Sequence, residues 1–131
     1  MLSKCLRLRL LNHKKLHSVT RMVSLLTGTN IDKALSHVTE RGWELVNNDG
    51  RDTIYQEYVF GDFRESWAFM CEIAIVAEEM NHYPFEWSNK YDQVNITLST
   101  YVGKNIGISD KDVILADAIQ EFFYISYRLN K

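Results

Sequence analysis

Apolar positions along this chain recur with two periods, one near 3.6 residues and one near two, and their order predicts the secondary structure. Asn30 can cap a helix running to about residue 41, with Ile31, Leu35 and Val38 at helical spacing and Gly42 as the stop. Residues 43–46 read as a short strand, and Asn47-Asn48-Asp49-Gly50 is a tight-turn signal. Residues 53–60, rich in β-branched and aromatic side chains, form the returning strand. Ile54, Tyr58 and Phe60 share one side of it, and Gln56 breaks the stripe. Asp62 followed by Glu65 is a capping box. It opens a long helix to Met80 whose apolar stripe is Phe63, Trp67, Met70/Cys71, Ala74 and Ala77.

Pro84 ends that helical pattern. Residues 85–91 and 94–101 then predict a hairpin about Asp92-Gln93. In its second strand Val94, Ile96, Leu98 and Thr100 face one way, and Asn95, Thr97, Ser99 and Tyr101 the other. Residues 103–107 are expected as a loop. Ser109 with Asp112 caps a last helix reaching about residue 129. That helix carries two apolar stripes, Val113/Ala116/Ile119/Phe123 and Leu115/Ala118/Phe122/Ile125. One sheet covers one stripe well, so the second is either a subunit interface or part of a wide core-facing surface. The order helix, strand, strand, helix, strand, strand, helix predicts an α+β domain, a four-stranded antiparallel sheet with three helices packed on one face.

Composition narrows the class of protein. A chain of 131 residues with 46% hydrophobic and 24% charged residues is one globular domain. The net charge of −2 argues against direct nucleic-acid binding by phosphate neutralisation. No apolar run approaches the ~18 residues that cross a bilayer. The two cysteines, Cys5 and Cys71, do not imply a disulfide framework. Charge is uneven, however. Residues 1–31 contain no acid, while Lys4, Arg7, Arg9, Lys14, Lys15 and Arg21 alternate with leucines. Residues 1–28 therefore read as a basic arm, either a mitochondrial transit peptide or a solvated segment upstream of a start at Met22, and residues 29–131 as the domain. The arm leaves cytoplasmic and mitochondrial locations open.

Chemistry concentrates after the long helix, in Glu78-Glu79-Met80-Asn81-His82-Tyr83-Pro84, with Trp87, Tyr101 and Asp112 further on. Glu78 and His82 are four residues apart and can share a helix face. Tyr101 ends a strand, and Asp112 lies in the first turn of the last helix, where a carboxylate is favoured by the helix dipole. Each residue has an ordinary structural reading as well: a helix-end histidine is usually a cap, and a strand tyrosine usually a surface aromatic.

A larger pattern gives these residues a common meaning. Asp62-Phe63, Trp67-Ala68-Phe69-Met70, Ala74, Ala77-Glu78, His82-Tyr83-Pro84, Glu86-Trp87-Ser88-Asn89-Lys90-Tyr91, residues 94–100, Ser109, Asp112 and Leu115-Ala116 together resemble the pterin-4a-carbinolamine dehydratase family. The resemblance covers residues 31–122. Members of that family dehydrate 4a-hydroxytetrahydrobiopterin to quinonoid dihydropterin during tetrahydrobiopterin recycling, with no metal or redox cofactor. They assemble as dimers of dimers, and some serve as dimerisation cofactors of a homeodomain transcription factor. The resemblance thus implies a pterin substrate, a homo-oligomer, a transcription-factor partner and a nuclear location alongside the others. It assigns His82, Tyr83, Tyr101 and Asp112 to catalysis and Glu78, Pro84 and Trp87 to substrate binding.

The match departs from the family at two places that matter. The family pattern has two adjacent histidines and a third at the end of the fourth strand; here Tyr83 and Tyr101 stand at the second and third. Phe85 reads as an insertion, and the loop after Tyr101 is about two residues longer than usual. An imidazole can give or take a proton near neutrality. For a tyrosine to act as base at pH 7, its pKa would have to fall by about three, worth roughly 4 kcal/mol. His82 is therefore expected to be the principal acid/base residue, and the two tyrosines to position or protonate substrate.

Overall fold

The computed structural model describes residues 23–128. Of the stretch 1–28 read as a basic arm or transit peptide, residues 1–22 fall outside them. Within residues 23–28, Leu26 N–H donates to Ile108 O at 2.7 Å, and Leu25 pairs with Ser109.

Helix α1 spans Thr29–Thr39 and buries Ile31, Leu35 and Val38, the predicted stripe. Its N-cap is Gly28 rather than Asn30, and no side chain caps it. Strand β1, Glu44–Asn48, pairs antiparallel with β2, Arg51–Val59. Between them Asp49 and Gly50 both have positive φ, the backbone that a two-residue turn matching strand twist requires. Gln56 interrupts the apolar stripe of β2 because Gly42 lies over it. A Cβ at Gly42 would come within 2.6 Å of the Gln56 amide nitrogen, and Gly42 itself has φ 106°.

Helix α2, Phe63–Met80, starts where predicted, with Glu65 N–H donating to the Asp62 carboxylate at 2.8 Å. The expected capping box is only half formed, because the Glu65 carboxylate takes the Gly61 N–H at 2.8 Å instead of that of Asp62. Its buried face is different from the expected one. Ser66, Phe69, Ile73, Val76, Ala77 and Met80 face the core, whereas Phe63 and Trp67 are 48% and 52% exposed. The helix is apolar around much of its circumference, so periodicity supports both stripes. Ser66 helps decide between them: its hydroxyl donates to Tyr91 O at 2.6 Å, tying this face to the turn at residues 91–92.

Strands β3, Glu86–Lys90, and β4, Gln93–Leu98, complete a sheet of order β1-β2-β4-β3. Inward Val94, Ile96 and Leu98 meet Ile54, Tyr58, Phe69 and Ile119 in one core. The strand expected to reach Tyr101 is interrupted at Ser99, which is buried and donates to the carbonyls of Asp52 or Gly107. Beyond it, β5, Thr100–Val102, pairs with β6, Asn105–Gly107, so the predicted loop 103–107 is mostly a small second hairpin. Helix α3, Asp110–Phe123, is followed by a wider π turn, Tyr124–Arg128. Leu115, Ala116, Ala118, Ile119 and Phe122 are buried, with Val113, Phe123 and Ile125 packed against them. Both stripes of α3 therefore pack within the single chain, which is the wide core-facing alternative. The architecture is the expected α+β order with the small hairpin added.

Candidate active site

Three element ends converge at the small hairpin: the close of α2, the start of β5 and the start of α3. At the end of α2, Asn81 adopts the left-handed conformation (φ 52°, ψ 40°) that closes many helices. The turn is locked by His82 N–H donating to Ala77 O at 3.0 Å. His82 is thereby folded back against the domain, only 8% exposed.

Its partner comes from the start of α3. Asp112 Oδ1 lies 2.7 Å from His82 Nε2, and the carboxylate is completely buried. Asp112 Oδ2 takes the Thr100 hydroxyl at 2.6 Å and the Ser109 backbone N–H at 2.9 Å. The Ser109 hydroxyl adds to the cluster, 2.7 Å from Thr100 Oγ1. One carboxylate thus does two jobs, closing the N-terminus of α3 with one oxygen and holding an imidazole with the other. Because a carboxylate can only accept, His82 Nε2 carries the hydrogen of this contact. His82 Nδ1 then has a free lone pair, and it has no hydrogen-bond partner among the described residues. A carboxylate that fixes tautomer and ring orientation leaves the other nitrogen ready for proton transfer.

His82 opens on a cavity of about 390 Å³, within the usual range for small-molecule sites. Tyr83, Pro84, Phe85, Thr100 and Tyr101 also line it, and Lys111 contributes the charged part of the wall. Tyr83 is half-exposed, and its hydroxyl donates to Glu78 Oε2 at 3.1 Å, with Asn81 Oδ1 at 3.4 Å. That hydrogen bond to Glu78, helped by partial desolvation and the carboxylate's charge, raises the phenol pKa above its ordinary value. Tyr83 is consequently a proton donor at neutral pH, and the structure supplies no way for it to act as a base. Tyr101, 63% exposed, stacks on Phe85 with ring centroids 5.5 Å apart. The extra phenylalanine therefore forms part of the cavity wall and leaves His82 accessible to it.

Of the residues picked out in the sequence, His82, Tyr83, Pro84 and Tyr101 line one cavity. Asp112 stands behind His82, and Glu78 reaches the cavity only through Tyr83. Trp87 is placed elsewhere: on β3 opposite Ile96, packed against the core and outside the cavity lining. Sequence reasoning did not pick out Thr100 and Lys111 as site residues. A hydroxyl closing the otherwise apolar row Val94, Ile96, Leu98 was a usable signal for Thr100. A cation in the first turn of a helix, where the dipole disfavours it, was one for Lys111.

Comparison with known proteins points in one direction. The family model described as "Pterin 4 alpha carbinolamine dehydratase" matches residues 24–122. A relative from Dinoroseobacter shibae that carries the family's name is 44% identical over 96 residues, covering 72% of this chain and 93% of the relative. The pterin-4-alpha-carbinolamine dehydratase of Drosophila melanogaster is 38% identical over 101 residues, 76% of this chain and 50% of the fly protein. Among solved structures, a Brucella melitensis protein described as a transcriptional coactivator/pterin dehydratase superposes with a TM-score of 0.65 at 33% identity. That match covers 76% of this chain and 98% of the other.

Proposed function

This chain belongs to the pterin-4a-carbinolamine dehydratase family, and on that premise we propose that it removes water from a 4a-hydroxytetrahydropterin, with His82 as the proton-transfer residue. The observation that carries the reading is the buried His82–Asp112 contact at 2.7 Å, opening on a cavity flanked by two phenols.

The reaction breaks the C4a–O bond, with the electron pair leaving on oxygen, and removes the proton from N5 as the C4a=N5 double bond forms. The departing hydroxide takes up one proton, so the products are water and the quinonoid dihydropterin. His82 Nδ1 is suited to take the N5 proton, and Asp112 stabilises the imidazolium so formed. Tyr83 and Tyr101 are suited to hydrogen-bond the pterin and to protonate the leaving hydroxyl. One imidazole does the work that the family pattern divides among several. Since a positioned acid or base contributes about 10²–10⁴-fold, turnover is expected below that of a three-histidine relative.

Stopped-flow dehydration of chemically generated 4a-hydroxytetrahydrobiopterin tests the reading. Wild type should exceed the spontaneous rate and His82→Ala should not; equal rates for both proteins and buffer would end the enzymatic assignment. A second reading keeps the scaffold without the chemistry, as a pterin-binding or transcription-factor dimerisation cofactor. The feature favouring it is the stacked, solvent-facing Phe63–Trp67 pair on α2, centroids 6.0 Å apart, which a second copy or a partner helix would cover. Sedimentation of Trp67→Glu tests that surface, with dissociation of any oligomer expected if it is an interface.

A further inference from the structure

We propose that the cavity selects reduced pterins whose side chain carries a negative charge, and that Lys111 is the residue that reads that charge. This rests on the dehydratase reading of the same cavity and adds a substrate class to it.

Lys111 contributes the ammonium of the lining, and among the described residues no aspartate or glutamate lines the cavity with it. Its side chain is partly buried, yet among the described residues no carboxylate lies within ion-pair distance of the ammonium and no hydrogen-bond acceptor holds it. The neighbouring Asp112 carboxylate is fully committed to His82, Thr100 and Ser109. Lys111 is also the second residue of α3, in the turn where the helix dipole opposes positive charge. A cation placed against the dipole, partly removed from water and with no counter-ion among the described residues, is complementary to an anion brought by the ligand.

The rest of the wall suits the neutral part of such a molecule. Phe85 and Tyr101 form a flat stacked surface, while Tyr83 and Tyr101 offer hydroxyls. The pterin bicycle is uncharged and needs those neutral groups; it gives the full charge of an ammonium no matched partner. A carboxylate or phosphate on the pterin side chain does. Lys111 is on this account a specificity residue, and removing it should leave recognition of the bicycle intact.

The test is calorimetric binding of three stable dihydropterins to the full-length chain: 7,8-dihydroneopterin, its monophosphate, and dihydrofolate. Wild type should bind the monophosphate about three- to tenfold more tightly than neutral dihydroneopterin, the range of a partly exposed ion pair, with the preference shrinking in high salt. Lys111→Met should erase the preference by lowering affinity for the monophosphate more than for neutral dihydroneopterin, and Lys111→Arg should keep it. A preference for dihydrofolate that is likewise lost in Lys111→Met would extend the reading to carboxylate tails; a preference confined to the monophosphate supports it for phosphate. Equal affinities in wild type for all three ligands, or a preference that survives in Lys111→Met, overturns the proposal while leaving the dehydratase reading standing. Failure of wild type to bind any of the three overturns both.

Discussion

The floor and the rim of the cavity are built on opposite principles. On the floor, His82, Asp112, Thr100 and Ser109 are buried and share one carboxylate, and each is held by groups from a different part of the chain. On the rim, Tyr83 and Tyr101 are at least half exposed; Tyr83 is steered by Glu78 and Asn81, and Tyr101 by a ring stack with Phe85. A buried hydrogen-bond network is costly to disturb because a lost partner leaves desolvated groups unsatisfied. An exposed phenol can be replaced by water. The departures from the family's histidine pattern, Tyr83 and Tyr101, fall on the rim, where substitution is tolerated structurally. The His82–Asp112 pair lies on the floor, where it is not.

This contrast can be broken most directly at Asp112. Asp112→Ala should destabilise the protein by about 2–4 kcal/mol, since it strands His82, Thr100 and the Ser109 N–H together. It should also remove dehydratase activity. Chemical denaturation with a parallel assay checks both, and a variant of native stability would show that the network is not structural. Next in size is His82→Ala, expected to lower the dehydration rate by about 10²–10⁴-fold with a smaller loss of stability. A loss of less than tenfold would move the proton transfer to another group.

Two phenols sharpen the comparison through pH. Tyr58 is buried in the core, its hydroxyl donating to Gln120 Oε1 at 2.8 Å, and burial pushes its pKa well above the ordinary value of 10.0. The unfolded phenol ionises first as pH rises, so the stabilisation is complete below about pH 10 and is lost progressively above it. Stability should fall on that alkaline limb, and Tyr58→Phe should flatten it, as followed by urea melts between about pH 9 and 11. Tyr83 also has a raised pKa, caused mainly by its bond to Glu78, but it is solvent-facing and should leave the alkaline limb unchanged. The smallest expected effect is therefore Tyr83→Phe: unchanged stability and a dehydration rate within about tenfold of wild type. Tyr83→His, in contrast, should raise the rate by restoring a second imidazole. A Tyr83→His protein slower than wild type would mean that the rim phenol is itself the required acid.

The elements themselves were largely readable in the sequence. Local signals determined them: positive-φ turn residues at Asp49-Gly50, the Asp62/Glu65 cap, the clean alternation of Val94, Ile96 and Leu98, and the Ser109/Asp112 cap. So did the pairing of Glu78, His82 and Pro84 with a family pattern that extends across the domain. The turn, the caps and the alternation depend on neighbours within a few residues, where spacing alone fixes geometry.

Other features required the packed chain. Helix α2 offers two apolar stripes of similar spacing, and only docking onto the sheet, with Ser66 reaching the Tyr91 carbonyl, selected Ser66/Phe69/Ile73 over Phe63/Trp67. Ser99 interrupts its strand because Asp52 and Gly107, distant in sequence, offer carbonyls to its hydroxyl. Trp87 is drawn into the core by its register opposite Ile96, although its neighbours in sequence border the site. Above all, the meeting of His82 with Asp112 joins residues thirty positions apart. Local signals place His82 just past the end of one helix and Asp112 in the first turn of another, but only the closing of the core against the sheet decides that one carboxylate will cap a helix and hold an imidazole at once.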